Sequence, residues 1–132
     1  MSTFLLEIVT PERKIYGEEV DMIVVKGVEG ELGILPNHIP MVSPLKIGPV
    51  RIKKSGSEEL IAVNGGFMEV RKSKVVILAE SAEFPSDIDI ERARASKERA
   101  ENRLKNIGDY DIKRAQLSLQ RALNRLEISS KS

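Results

Sequence analysis

The sequence has no cysteine and a single histidine, His38, among its 132 residues. The absence of cysteine excludes a disulfide framework, a thiolate nucleophile and a thiolate metal ligand, and one imidazole leaves few ways to build a histidine metal site. There is no apolar run of the roughly 20 residues that a membrane-spanning helix requires. The first residues lack the basic region of a secretory signal. We therefore expect no metal, no direct membrane span and a cytoplasmic location.

The sequence also lacks a strong excess of charge of either sign. The formal net charge is +1, and 41% of the residues are hydrophobic. Residues 1–86 contain 10 Lys and Arg against 12 Asp and Glu, and residues 87–132 contain 11 against 8. A basic excess of this size is far below the footprint of a dedicated nucleic-acid-binding domain. The composition is typical of a soluble chain with one sizeable core.

Residues 1–86 show the period of two that is typical of β-strands. Phe4, Leu6 and Ile8 alternate with their neighbours, and similar short segments are separated by turn residues at 54–57, 64–66 and 72–73. The predicted strands cover residues 4–9, 20–25, 50–53, 59–63, 66–70 and 75–79. This pattern favours an antiparallel β-sandwich of about 8–10 strands.

Residues 87–132 show a helical period instead. Gly108 and Asp109 supply a stop for one helix and a cap for the next. The apolar positions recur at steps of three and four, and they are Ile90, Ala93, Ala100, Leu104 and Ile107, then Ile112, Ala115, Leu119, Ala122 and Leu126. The sequence thus predicts a two-helix antiparallel hairpin, and an α+β fold class for the whole chain.

The two predicted helices repeat one another 22 residues apart, with ten matches in sixteen aligned positions. Each helix carries a stripe of one Asp and three Arg, namely Asp89, Arg92, Arg99 and Arg103, then Asp111, Arg114, Arg121 and Arg125. One interpretation is a solvated face with weak ion pairs between successive turns. The other is an anion-binding cradle, because a guanidinium grips phosphate or carboxylate with two parallel hydrogen bonds.

The hairpin has too little apolar surface to be stable alone. Its seam is mostly alanine, which buries little area, and isolated helices of this length are marginal in water. The helices therefore need the sandwich or another protein. The hairpin is a candidate two-state element, either folded back or extended along a partner.

Residues 30–40, with the sequence GELGILPNHIP, resemble a loop signature of the epsilon subunits of bacterial F-type ATP synthases. Three further segments match in order along the chain, at residues 9–11, 65–70 and 88–93. The resemblance implies a noncatalytic central-stalk subunit, with a β-sandwich at residues 1–86 and a regulatory hairpin at residues 87–132. It departs from the common pattern at Asn37, where glycine is frequent, and in a short linker at residues 105–110.

The resemblance also implies partners and a location. The sandwich would dock to the gamma subunit and the membrane rotor ring, and the extended hairpin would contact the catalytic beta subunit and the alpha subunit. The protein would be peripheral, on the cytoplasmic face of the bacterial cell membrane. The docking residues of residues 30–40 would be Glu31, Leu32, Ile34, Leu35 and His38. His38 pairs with no candidate nucleophile in the sequence, so a catalytic role is not expected.

ATP is implied as a regulatory ligand of the hairpin, with the need for Mg left open. The resemblance places the nucleotide on Glu83, Ile88, Asp89, Arg92, Ala93 and Arg99. Contacts to either the nucleotide or a partner are implied for Arg103, Arg114, Arg121 and Arg125. ATP bound to one form of the hairpin would shift the equilibrium toward that form, so that low ATP would favour inhibition.

Three other functional classes remain as alternatives. A free-standing ATP sensor would use the same Asp89 and arginines without a complex. A nucleic-acid-binding module would use the arginine-rich helices, although the near-neutral charge and only five aromatic residues oppose it. An enzyme is the least supported class, because no nucleophile, base and oxyanion arrangement can be assembled from these residues.

Overall fold

The computed structural model describes residues 2–105 and 112–131. The strands are β1 Phe4–Val9, β2 Lys14–Val20, β3 Met22–Gly27, β4 Gly30–Ile34, β5 Met41–Lys54, β6 Ser57–Val70, β7 Lys74–Ala79 and β8 Ala82–Glu83. A short 3₁₀ turn at Pro85–Asp87 leads to the helices α1 Ile90–Lys105 and α2 Ile112–Lys131. The predicted α+β fold class is confirmed, with a β domain followed by two helices.

The strands are hydrogen-bonded in the order β2-β1-β7-β6-β5-β3-β4, and β8 pairs with β6. The pairs are antiparallel, as predicted, except that β1 lies parallel to β7. These two strands are far apart in the sequence, so no tight hairpin fixes their relative direction. Glu7 ties β1 to both of its neighbours, because its carboxylate lies 2.9 Å from Lys14 Nζ and 2.5 Å from Lys74 Nζ. Hydrogen bonds from Lys74 and Lys14 lower the pKa of Glu7.

The longest strands, β5 and β6, are each 14 residues long, which the sequence did not predict. The glycines at 65 and 66 were interpreted as a turn, but β6 continues through them with positive φ angles of 85° and 140°. A Cβ atom on Gly66 would lie 2.1 Å from the carbonyl oxygen of Leu78, so this close approach requires glycine. The glycines therefore bend the strand instead of ending it.

Two turn regions show how local residues set the strand boundaries. Ser55 and Gly56 both have positive φ, which gives the two-residue connection between β5 and β6 the geometry of a type I′ turn. The predicted strand at residues 20–25 is divided at Asp21, whose Oδ2 accepts a hydrogen bond from the backbone N–H of Ser55 at 2.9 Å. The carboxylate of Asp21 thus satisfies the turn between β5 and β6, while its backbone N–H still donates to the carbonyl oxygen of Lys53 at 2.9 Å.

The strands form layers that the bent strands connect, and the main core lies between these layers. Residues of β1 to β7 contribute to it by alternation, and the largest fully buried side chains include Leu6, Ile8, Ile23, Ile52, Ile61 and Ile77. Burial of each such side chain stabilises the fold by about 1.5–3 kcal/mol.

The hairpin packs through small side chains between its helices and through α2 onto the sandwich. Ala93, Ala100, Ala115 and Ala122 are all buried, as expected for a close helix–helix seam. α2 packs against β5, β6 and the 3₁₀ turn, and a second small cluster of Leu60, Ala62, Ile88 and Ile128 fills this interface. The predicted helix stop at Gly108, the cap at Asp109, and Ile107 and Asp111 lie outside the described residues.

Candidate functional site

Glu83 and Arg125 meet where the hairpin joins the sandwich. Arg125 Nε on α2 donates to Glu83 Oε1 on β8 at 2.5 Å, and both side chains are a little more than a quarter exposed. Both residues were predicted from the resemblance, Glu83 as a nucleotide contact and Arg125 as a nucleotide or partner contact. The structure brings them together as an ion pair that links β8 to α2.

The segment at residues 88–93 begins α1, and three of its residues have structural contacts. Asp89 caps the helix. Its Oδ1 accepts a hydrogen bond from the backbone N–H of Arg92 at 3.0 Å, and its carbonyl oxygen accepts one from the backbone N–H of Ala93. Ile88 is buried in the interface cluster, and Ala93 is buried in the helix seam. The side chain of Arg92 is exposed, and its guanidinium has no ion-pair partner within residues 2–105 and 112–131.

The two arginine stripes have different environments despite the sequence repeat. On α1, Arg92, Arg99 and Arg103 are all exposed, and Arg99 Nη2 donates to Ser96 Oγ at 3.1 Å. On α2, Arg121 and Arg125 are half-buried. Arg114 is exposed near the start of the same helix. The arginines of α1 therefore face solvent, whereas α2 turns two of its arginines toward other parts of the fold.

The predicted docking loop at residues 30–40 is only partly a loop. Residues 30–34 form β4, which pairs with β3, and Ile34 is buried in the main core, where it cannot reach a partner. Leu32 is half-buried and packs against the same core. Glu31 forms an exposed ion pair with Arg51, in which Arg51 Nη2 lies 3.3 Å from Glu31 Oε1.

The remaining part of this segment is an exposed turn. Leu35 and Ile39 are both exposed, and His38 is half-buried with its Nδ1 2.7 Å from the carbonyl oxygen of Ile39. Asn37 has a φ of 66°, a left-handed conformation that asparagine tolerates better than most residues. This conformation explains why glycine suits the same position. The apolar tip of the segment is thus formed by Leu35 together with Ile39, which was not among the predicted docking residues.

An exposed apolar row on the outer face of the sheet was not found from the sequence. Val9, Leu78, Phe67 and Pro44 lie side by side on the adjacent strands β1, β7, β6 and β5. Phe67 is 56% exposed and Leu78 is 50% exposed, and Val42 near them is 68% exposed. Apolar patches of this kind mark protein interfaces. The signal in the sequence is the uninterrupted run VVILA in β7, which is apolar on both faces of its strand.

Two sequence profiles together match almost the whole chain. The family described as ATP synthase, Delta/Epsilon chain, beta-sandwich domain matches residues 3–85, and its long alpha-helix domain matches residues 86–130. The chain belongs to the ATP synthase delta/epsilon chain family. The resemblance proposed from residues 30–40 and the three further segments is confirmed.

Bacterial relatives of this delta/epsilon family member are named ATP synthase epsilon chain. The protein of Alkalihalophilus pseudofirmus is 62% identical over 106 residues, which cover 80% of this chain and 80% of the relative. The protein of Halalkalibacterium halodurans is 61% identical over 105 residues, which cover 80% of this chain and 79% of the relative. At this identity and coverage the chain groups with the epsilon chains.

Two solved structures have the same fold. One is a chain of the Euglena gracilis mitochondrial ATP synthase, from a structure of OSCP, F1 and c-ring, with a TM-score of 0.77 at 25% identity. The match covers 99% of this chain and 81% of the Euglena chain. A chain from the central stalk and c-ring of the Tetrahymena thermophila enzyme has a TM-score of 0.59 at 19% identity, with 97% and 94% coverage. The second likeness supports the fold alone.

Two cavities of this family member have linings that contain none of the predicted nucleotide residues. One of about 590 Å³ lies between the sandwich and the end of α2, with Arg51, Leu60, Glu127 and Ile128 in its lining. The other, of about 500 Å³, adjoins the exposed apolar row at residues 40–42 and 69–72. In the part of the chain that the structure describes, no cluster of three or more His, Asp or Glu is arranged to hold a metal ion. The described helices include none that is long and apolar enough to span a membrane.

Proposed function

We propose that this chain is a noncatalytic epsilon subunit in the central stalk of an F-type ATP synthase, whose hairpin leaves the sandwich to inhibit ATP hydrolysis. Membership of the family and the neighbour from an F1 and c-ring assembly support the place in the complex. The protein would be peripheral on the cytoplasmic face of the bacterial membrane. The observation that carries the regulatory part is the small interface between α2 and the sandwich.

Within the described residues, that interface includes a small apolar cluster and an ion pair. Ile128 is its largest fully buried side chain, and the Glu83–Arg125 pair lies nearby at the surface. A partly exposed ion pair contributes about 1 kcal/mol or less. The alanine seam holds α1 to α2 but adds little to docking on the sheet. Detachment therefore costs far less than unfolding the sandwich, and the released arginines of α2 would suit an acidic surface on the catalytic beta or alpha subunit.

The sandwich supplies the contacts that keep the subunit in the rotor. Phe67, Leu78 and Val42 form an exposed apolar patch that suits the gamma subunit, because apolar side chains gather at the buried centre of protein interfaces. Leu35 and Ile39 form the separate exposed tip that suits the rotor ring. Two separate apolar surfaces fit a subunit that is held between two partners.

ATP is proposed as the ligand that favours the docked hairpin. Arg92 and Arg99 are exposed and seven residues apart, so they lie on the same face of α1 and suit the polyphosphate of a nucleotide. Asp89 lies at the start of the same helix, within one turn of Arg92. The Glu83–Arg125 pair, which joins β8 to α2, offers a second contact, which the nucleotide would share or break. ATP would act as a signal, with or without Mg, and would not be hydrolysed here.

The test is calorimetric titration of the isolated chain with ATP. We expect saturable binding by the wild type and its loss in an Arg92→Gln, Arg99→Gln variant. Arg94→Gln is the matched control, because Arg94 is an exposed arginine of the same helix outside the stripe. Asp89→Asn removes the charge but retains a good helix cap, so it separates ligand binding from helix stability. Equal binding by the double variant and the control would overturn the proposed site.

A further inference from the structure

One polar side chain lies buried in the interface of α2 without a hydrogen bond. Asn124 is only 5% exposed, and neither its Nδ2 nor its Oδ1 has a hydrogen-bond partner among residues 2–105 and 112–131. It lies one helical turn before Ile128, on the same side of α2. A buried amide that loses its hydrogen bonds to water without replacing them opposes the packing that buries it.

The sheet presents a second buried amide on the face that α2 covers. Leu60, Ala62 and Asn64 alternate along β6, and the first two pack in the cluster with Ile128. Asn64 is also buried, and its Nδ2 donates to Ser81 Oγ at 2.7 Å, but its Oδ1 has no partner within the described ranges. The sheet face below α2 therefore has an apolar half and a polar half.

The repeat within the hairpin shows that burial of this amide is a consequence of docking. Asn102 on α1 occupies the position equivalent to Asn124, within the same sequence Asn-Arg-Leu, and it is exposed. The same local sequence thus places one amide in water and the other under α2. When α2 leaves the sheet, Asn124 regains its hydration, whereas Asn102 is already exposed while α2 is docked.

We propose that Asn124 is a release element of the hairpin, which weakens docking of α2 on the sandwich so that the two forms stay in exchange. The inference rests on the proposed mobile hairpin and names the residue that sets its docking strength. Leucine branches at Cγ as asparagine does, with two methyl groups in place of the amide oxygen and nitrogen, and it needs no hydrogen bond. Asn124→Leu should therefore strengthen docking by about tenfold, the scale of one unmet buried polar group.

The experiment is hydrogen exchange of backbone amides in the full-length chain, read by mass spectrometry. Amides of α2 should exchange about tenfold more slowly in Asn124→Leu than in the wild type, and more than tenfold faster in Asn124→Asp, which buries a charge. Asn102→Leu is the matched control and should leave exchange of α2 unchanged. Protected amides of β7 report that each variant is folded.

Two results would contradict the proposal in different ways. If α2 exchanges faster than β7 in the wild type but Asn124→Leu does not slow it, the hairpin is mobile and Asn124 is not its release element. If α2 and β7 exchange at the same rate in the wild type, the hairpin does not detach separately. That second result overturns the mobile hairpin of the proposed function together with the role of Asn124.

Discussion

Replacement of Ile128 by alanine should detach the hairpin without unfolding the sandwich. Ile128 is 1% exposed and packs with Leu60, Ala62 and Ile88 in a cluster separate from the main core. It is the largest fully buried side chain of that cluster. The substitution therefore acts on the contact between α2 and the sheet.

The expected loss of docking free energy depends on the cavity that Ile128→Ala would create and on the other contacts that hold α2 to the sheet. Replacing a buried isoleucine by alanine costs about 2–5 kcal/mol. The other contacts of the interface include three apolar side chains and the Glu83–Arg125 pair, which contributes about 1 kcal/mol or less. A loss of this size shifts the docking equilibrium by about 30-fold or more, since 1.4 kcal/mol corresponds to a factor of ten.

Hydrogen exchange again provides the assay, with Ile77→Ala as the matched control. Ile77 is fully buried in β7, so its loss should speed exchange across the whole sandwich. Ile128→Ala should speed exchange in α2 and leave β7 protected. Unchanged protection of α2, or loss of protection in α2 and β7 by the same factor, would refute the division into a stable sandwich and a weakly docked hairpin.

Three further predictions concern the sandwich. Gly66→Ala should destabilise the sandwich in urea titration by about 2 kcal/mol or more, because the added Cβ atom would collide with the Leu78 carbonyl oxygen. Gly56→Ala is the control and should cost less, because a Cβ atom at Gly56 would have no atom within 4 Å. Glu7→Gln should make the free energy of unfolding depend less on pH in the acid range. Because the pKa of Glu7 is lowered, its contribution to stability is fully present above the ordinary value of 4.5 and is lost as the pH falls from there through the lowered pKa. An identical dependence of stability on acid pH in the wild type and the variant would refute this role of Glu7. Phe67→Asp should abolish co-purification with the gamma subunit but leave the melting temperature almost unchanged, and retained co-purification would remove the apolar row from that interface.

Local patterns in the sequence identified β1, β3, β7, parts of β5 and β6, and the change from strands to two helices. Alternation in Phe4, Leu6 and Ile8 identified β1, and the turn at residues 54–57 was placed correctly. The charged strand β2 was missed, because Glu18 and Glu19 interrupt any alternation. The bend in β6 was missed because glycines that mark a turn in one context mark a close approach of strands in another.

The candidate site depends on tertiary contacts that the sequence does not specify locally. Glu83 and Arg125 are 42 residues apart, so their ion pair follows only from docking of α2. Asn102 and Asn124 have the same neighbours in sequence, yet one is exposed and the other is buried. The cap at Asp89 is the exception, because an aspartate directly before a helical pattern is a recognisable N-terminal signal.

The most direct test of the regulatory hairpin is the ATP hydrolysis rate of the ATP synthase assembled with the wild-type chain or with Ile128→Ala. In the proposed function, release of α2 makes more of the inhibitory form, so we expect slower hydrolysis with the variant at the same content of this subunit. Asn102→Leu, for which we expect unchanged docking, should give the wild-type rate. Equal hydrolysis by the wild type and Ile128→Ala, with α2 shown to be detached by hydrogen exchange, would contradict inhibition by the hairpin.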